Sequence, residues 1–148
     1  MDELPEDREF WREHPDPSDA DIAMVCRAWL RYQGGSPRVE VDDQHPDWWA
    51  PEALNELGYP PVPELEWKII RCLCKLVDPA ATSTISMIGA SPLEDFLMRN
   101  GDRAMDLVEP AADEDPVFME ALTSVWGFGE SVRRRIDRYL ASRGQEPR

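Results

Sequence analysis

The sequence predicts an all-α protein: a compact bundle or short solenoid-like stack of six to eight short helices behind a mostly irregular N-terminal arm. Three observations predict it. Apolar residues recur along most of the chain at the i, i+3, i+4, i+7 spacing of one buried helical face. A β-like alternation, Val39-Glu40-Val41, is too brief to support a sheet. Gly, Asp-Pro and Ser-Pro punctuation falls at intervals that suit short helices joined by tight turns. A hydrophobic fraction of 42% with six tryptophans is enough to build a core despite 31% charged residues.

The elements follow in order. Residues 1–17 place Pro5, Pro15 and Pro17 among many charges and read as a flexible acidic arm, from which Phe10 and Trp11 can pack onto the body. Residues 18–148 read as a single helical domain, the usual size for one core. Ser18 or Asp19 caps a helix whose inner face is Ile22, Val25, Cys26, Trp29 and Leu30, ended by Gly34 and Gly35. Residues 36–48 read as a loop. A short helix follows, with Trp48, Trp49, Ala53, Leu54 and Leu57, until Gly58 and three prolines interrupt regular structure. The clearest helix begins at residue 64, places Leu65, Ile69, Cys72, Leu73, Leu76 and Val77 on one face, and closes at Asp78-Pro79. Residues 82–88 form another short helix, stopped at Gly89.

Ser91-Pro92-Leu93-Glu94 then has the form of an N-cap, a first-turn proline and a capping-box glutamate, leading a helix that ends at Asn100-Gly101. Asp102 caps the next helix, which Pro110 is expected to end or kink. Asp115-Pro116 opens a helix whose stripe Phe118, Ala121, Leu122, Val125 and Trp126 runs unbroken to Gly127. A basic terminal helix over about 130–142 sets Val132, Ile136, Tyr139 and Leu140 on its inner face.

Charge narrows the function classes. The net charge is −14, and it is uneven: residues 1–130 hold 28 acids against 10 bases, residues 131–148 two acids against six arginines. Such an acidic body repels phosphate backbones and anionic membranes, and it steers basic proteins toward it. A basic protein partner is therefore expected, and no membrane. Nucleic acid is disfavoured except through Arg133, Arg134, Arg135 and Arg138, which can equally serve the acidic body itself. The first 21 residues hold nine carboxylates and two arginines, with neither the basic start nor the apolar run of a signal peptide, so a cytoplasmic location is expected. Three cysteines, Cys26, Cys72 and Cys74, read as reduced core thiols.

Ile88-Gly89-Ala90-Ser91-Pro92-Leu93-Glu94-Asp95-Phe96-Leu97, then Asp115-Pro116-Val117-Phe118, then Val125-Trp126-Gly127 resemble an uncharacterised bacterial domain family with an I-G-A-G-P-L-E-D-L-L core, a D-P-x-F step and a terminal V-W-G. The resemblance covers residues 64–127, with Ser91 in place of a glycine. It implies a bacterial helical domain and no particular activity.

No residue set has the form of a catalytic site, metal centre or cofactor cradle, so none is assigned. The candidate partner-binding residues are Asp42, Asp43, Asp47, Trp48 and Trp49, where paired aromatic anchors sit beside carboxylates, together with Asp95. The function expected is a non-enzymatic acidic protein-binding module, an immunity or antitoxin-like inhibitor of a basic protein. The alternatives are a metal-dependent hydrolase in which the Asp42–Asp47 loop, with His45, supplies hard ligands or a base, and nucleic-acid binding through the arginine-rich C-terminus.

Overall fold

The structure, a computed structural model, describes residues 7–34, 45–57, 62–126 and 130–145. Among these residues there is no strand, and the all-α expectation holds. Within the chain the backbone forms two compact units, Met1–Leu76 and Val77–Arg148.

The first unit holds α1 (Asp7–Glu13), α2 (Asp19–Gly34), α3 (Trp49–Glu56) and α4 (Pro63–Leu76). Ser18 is the cap of α2: the Asp21 amide donates to its hydroxyl at 3.1 Å, and its own amide donates to the Asp21 carboxylate at 2.9 Å. Those bonds from Ser18 hold the Asp21 carboxyl below its usual range. From α2, Ile22, Val25, Cys26, Trp29 and Tyr32 are buried, with Ala28 allowing close approach. This helix packs on both α3 and α4. On α4 the inner face is turned from the expected one: Ile69, Ile70, Leu73 and Cys74 are buried, whereas Leu76 is exposed and Leu65 and Cys72 are half-buried.

The arm expected to be mostly irregular contains a helix, α1. The reason is local and apolar. Phe10 is buried against Val25 and Ala53, with Trp11, Trp49 and Leu54 around it. Burying such a ring contributes roughly 1.5–3 kcal/mol, enough to order a short helix with weak propensity of its own. The Trp11 indole N–H donates to the Ala53 carbonyl at 2.7 Å and fixes α1 on α3.

The second unit holds α5 (Thr82–Ile88), α6 (Glu94–Asn100), α7 (Asp102–Glu114), α8 (Pro116–Leu122) and α9 (Glu130–Ser142). Here the sequence reading is corrected at three places. Gly89 does not stop a helix: α5 runs into α6 through a π-turn, Gly89–Leu93, forming one helical rod over 82–100. The wider turn accommodates Pro92, whose ring in α geometry would strike the carbonyl four residues back. Ser91 is therefore interior and caps nothing. Counting the rod once, the described residues hold eight helices, within the expected range.

Pro110 does not end α7, which continues to Glu114. The ring and the Asp106 carbonyl it deprives of a partner lie on the exposed side, where water replaces the lost bond. Finally, α8 ends at Leu122, so the apolar stripe read through Trp126 is broken by the turn at Thr123 and Ser124. Asn100-Gly101, by contrast, ends α6 as expected, with Gly101 at φ 59° as the cap that also opens α7. Asp115 caps α8 as expected, its carboxylate accepting from the Val117 amide at 3.0 Å. The terminal helix occupies the expected span, burying Val132, Ile136, Tyr139 and Leu140.

Candidate functional site

Of the candidate residues in the first unit, Asp42 and Asp43 lie outside the described residues. Asp47, Trp48 and Trp49 come together at the start of α3. Asp47 is 9% exposed and binds Arg31 of α2 through both oxygens, Nε to Oδ2 at 3.1 Å and a terminal guanidinium nitrogen to Oδ1 at 2.9 Å. The carboxylate raises the Arg31 guanidinium further above its usual pKa. Beneath it, the Asp47 amide donates to His45 Nδ1 at 3.0 Å, and the His45 ring meets Tyr32 edge-on at 5.0 Å. Trp48 tilts against Tyr32 at 5.8 Å, and Trp49 stacks on Phe10 at 5.2 Å. Both tryptophans are half-buried. This corner is a fork-shaped ion pair over an aromatic layer, with both Asp47 oxygens already engaged by a cation. Among the described residues no group of three His, Cys, Asp or Glu side chains converges as a metal ion requires.

Cys26, Cys72 and Cys74 of the first unit form no disulfide. Cys26 is buried and donates to the Ile69 carbonyl at 3.6 Å, and burial with Cys72 beside it pushes its thiol well above the usual range. Such a thiol stays protonated and inert.

In the second unit Asp95 is exposed on the first turn of α6, where desolvation by neighbouring atoms raises its carboxyl against the pull of Arg99. Glu94 beside it does not fold back into a capping box. It reaches across to the chain after α8 and accepts the Trp126 backbone N–H at 2.7 Å. The carbonyl of the same peptide unit, that of Val125, accepts from the Arg133 guanidinium of α9 at 2.8 Å. Arg133 is itself braced by Asp137 at 2.8 Å. One peptide plane is thus held from both sides by charged groups. The Val125 side chain is buried below it, and the Trp126 ring is presented outward, 70% exposed.

Trp126 is the residue that pattern reading missed. Its i+3/i+4 spacing continues the α8 stripe without a flaw, and only the polar Thr123-Ser124 pair hints that the helix ends a turn earlier. The joining of Glu94 to Trp126 unites two separate parts of the sequence, the P-L-E-D step and the V-W step.

The C-terminal arginines are largely spent within the unit. Arg135 binds three carboxylates of α7: Asp106 at 2.8 Å, Glu109 at 3.0 Å and Asp102 at 3.4 Å. Arg134 pairs with Glu130 at 3.2 Å, and Arg143 with Asp113 at 2.8 Å. Arg138 is exposed and has no ion pair among the described residues. Most of the basic terminus is neutralised by its own acidic neighbours. No helix of the described residues is long and apolar enough to cross a membrane.

Comparison with known proteins adds one match. The model of a family of unknown function (DUF6869) matches residues 37–144, which include the motif-bearing stretch 64–127. No curated protein and no solved structure matches the chain.

Proposed function

This chain belongs to the family of unknown function DUF6869, and we propose that it is a non-enzymatic, acidic protein-binding module of the immunity or antitoxin-like inhibitor kind. It acts in the bacterial cytoplasm, where its three thiols stay reduced, and it covers a basic surface of its partner. The observation that carries this reading is Trp126, a large aromatic ring held outward on a peptide clamped by Glu94 and Arg133.

The physical case is one of pre-organisation. A solvent-exposed tryptophan costs the folded chain apolar hydration and returns little to its stability, whereas buried in a partner it is among the strongest contact residues known. Clamping its backbone removes part of the ordering entropy that binding would otherwise cost. Glu94 adds a carboxylate at its backbone, and the −14 net charge steers a basic partner in. The half-buried Trp48 and Trp49, beside an Asp47 held by Arg31, are the secondary patch of this reading.

The test is affinity capture of the partner from native lysate, then titration of the purified partner against wild type, Trp126→Ala and the Trp48→Ala, Trp49→Ala pair. Trp126→Ala is expected to weaken binding by at least about tenfold with an unchanged thermal midpoint. Association should slow as salt rises, because steering is screened. Binding unaffected by Trp126→Ala, or a captured partner that is not basic, overturns the reading.

A further inference from the structure

The short helix α1 lies in a groove made by α2 and α3, and that groove has the chemistry of a recognition site. Phe10 fills its floor: the ring is buried against Val25 of α2 and Ala53 of α3, with Leu54 beside it, and it stacks on the Trp49 ring at 5.2 Å and 27°. Trp11 closes the groove, edge-on to Phe10 at 4.7 Å, and its indole N–H donates to the Ala53 carbonyl at 2.7 Å. That carbonyl belongs to the last turn of α3, where acceptors lack a donor within the helix; the amide four residues on, that of Leu57, bonds to Leu54 instead. An occupant must therefore bring a flat apolar ring and, on the next residue, an indole donor.

α1 meets both demands and is otherwise weakly held. Seven residues are too few for a helix stable on its own, so its order comes from the groove. α2 does not depend on it: Ser18 and Asp21 cap α2 between themselves, and Pro15 and Pro17 separate the two helices, so α1 can leave with that cap intact. The charge of α1 has the wrong sign for its setting. It carries three carboxylates and two arginines, α3 carries Glu52 and Glu56 and no base, and residues 1–76 together hold 17 acids against eight bases. An acidic helix on an acidic unit is held by its rings against a net repulsion, and a basic helix with the same rings gains an attraction in its place.

We propose that the groove between α2 and α3 is the docking site for a basic helix of the partner that presents adjacent Phe and Trp side chains, and that α1 is the built-in occupant it displaces. This rests on the protein-binding reading above and adds a masked anchor to it, because Trp49 lies under Phe10 until α1 lifts. Recognition is of the helix-in-groove kind, with the rings giving affinity and the Ala53 carbonyl giving register. A tethered occupant competes at an effective concentration on the order of millimolar, so only a better-matched helix takes its place.

The test is fluorescence-anisotropy titration of the full chain with three labelled peptides spanning residues 5–17: the native arm, a basic arm with Asp7→Lys, Glu9→Lys and Glu13→Lys, and the basic arm with Phe10→Ala and Trp11→Ala as well. The expected result is saturable binding of the basic arm, at least about tenfold tighter than the native arm, and no saturation with the peptide that lacks the rings. Trp11→Phe in the full chain keeps both rings and removes only the donor to Ala53, which weakens the built-in occupant; the basic arm should bind this variant about fivefold tighter than wild type. Equal binding of the ring-less peptide, or no binding of the basic arm by either chain at roughly millimolar peptide, overturns the proposal. So does a wild-type dimer that the basic arm dissociates, which would give the groove to α1 of a second copy. These titrations contain no partner protein, so their failure removes the groove and leaves the Trp126 reading to its own capture experiment.

Discussion

At residue scale the tightest constraint is Gly89. A Cβ built there would sit 1.9 Å from the Ala121 carbonyl oxygen and 3.1 Å from the Ser124 Cβ, so the π-turn touches the backbone of α8 directly. The obstruction is main chain and cannot swing aside. Gly89→Ala is expected to lower unfolding stability by about 3 kcal/mol or more, measured by denaturant titration, since the helix gains little from the added methyl. Asp113 makes a second prediction. The Arg143 guanidinium and the Tyr139 hydroxyl, at 2.8 and 2.6 Å, hold its carboxyl down to about 2 from an ordinary 3.8. A carboxyl depressed in the folded state contributes stability that is present above the unfolded pKa and lost as pH falls toward the folded one. Acid unfolding of wild type should therefore steepen between about pH 4 and pH 2, and that component should be missing in Asp113→Asn. A Cγ titration by NMR with a midpoint near 4 would contradict it.

At the scale of elements, Pro110 offers a direct measurement. It sits inside α7 on the solvent side, so it interrupts a hydrogen bond without disturbing the buried face of Ala104, Met105, Val108, Ala111 and Ala112. Pro110→Ala restores the N–H and is expected to stabilise the protein by about 1–3 kcal/mol in thermal or chemical unfolding, and a loss of stability would show that the proline serves packing instead. The same element shows what pattern reading sees and misses. Met105 and Val108 are legible as inward residues because the 3.6-residue period survives the proline. Whether the helix ends at Pro110 or continues past it is not legible, because that depends on which side of the helix faces water. The π-turn is hidden for a similar reason: Ser-Pro-Leu-Glu carries every local mark of an N-cap, and only the fit against α8 keeps those residues helical. Trp126 is misread by the converse error, since a periodic stripe does not reveal where a helix stops.

At the scale of the whole molecule, a net charge of −14 sets a background of self-repulsion against which a few converging ion pairs work. Arg135 alone gathers Asp102, Asp106 and Glu109, three carboxylates on one face of α7 that would otherwise repel each other. Because long-range repulsion outweighs these short contacts in number, the thermal midpoint is expected to rise as NaCl increases from about 0.01 to about 0.5 M, through screening over a Debye length that shrinks from about 30 Å to a few ångströms. A falling midpoint would mean that the Arg135 and Arg143 pairs dominate.

The sequence by itself determined the all-α class, the span of the terminal helix, the cap at Asp115, the start of α2 at Ser18 or Asp19, and the buried faces of α2 and α9. These depend on short-range periodicity and on hydrogen bonds between residues two to four apart, and both are written in consecutive letters. It did not determine the order of the first helix, the continuity of the rod over 82–100, the exposure of Trp126 or the neutralisation of the C-terminal arginines by their own neighbours. Each of those depends on what lies across a helix interface: the Ala53 carbonyl for Trp11, the Ala121 backbone for Gly89, Glu94 and Arg133 for the Val125–Trp126 peptide, and the α7 carboxylates for Arg135. The candidate site follows the same division. The tryptophans and charges are visible in the sequence, but whether a side chain faces the core, an ion partner or open solvent is decided by packing between segments distant in the chain.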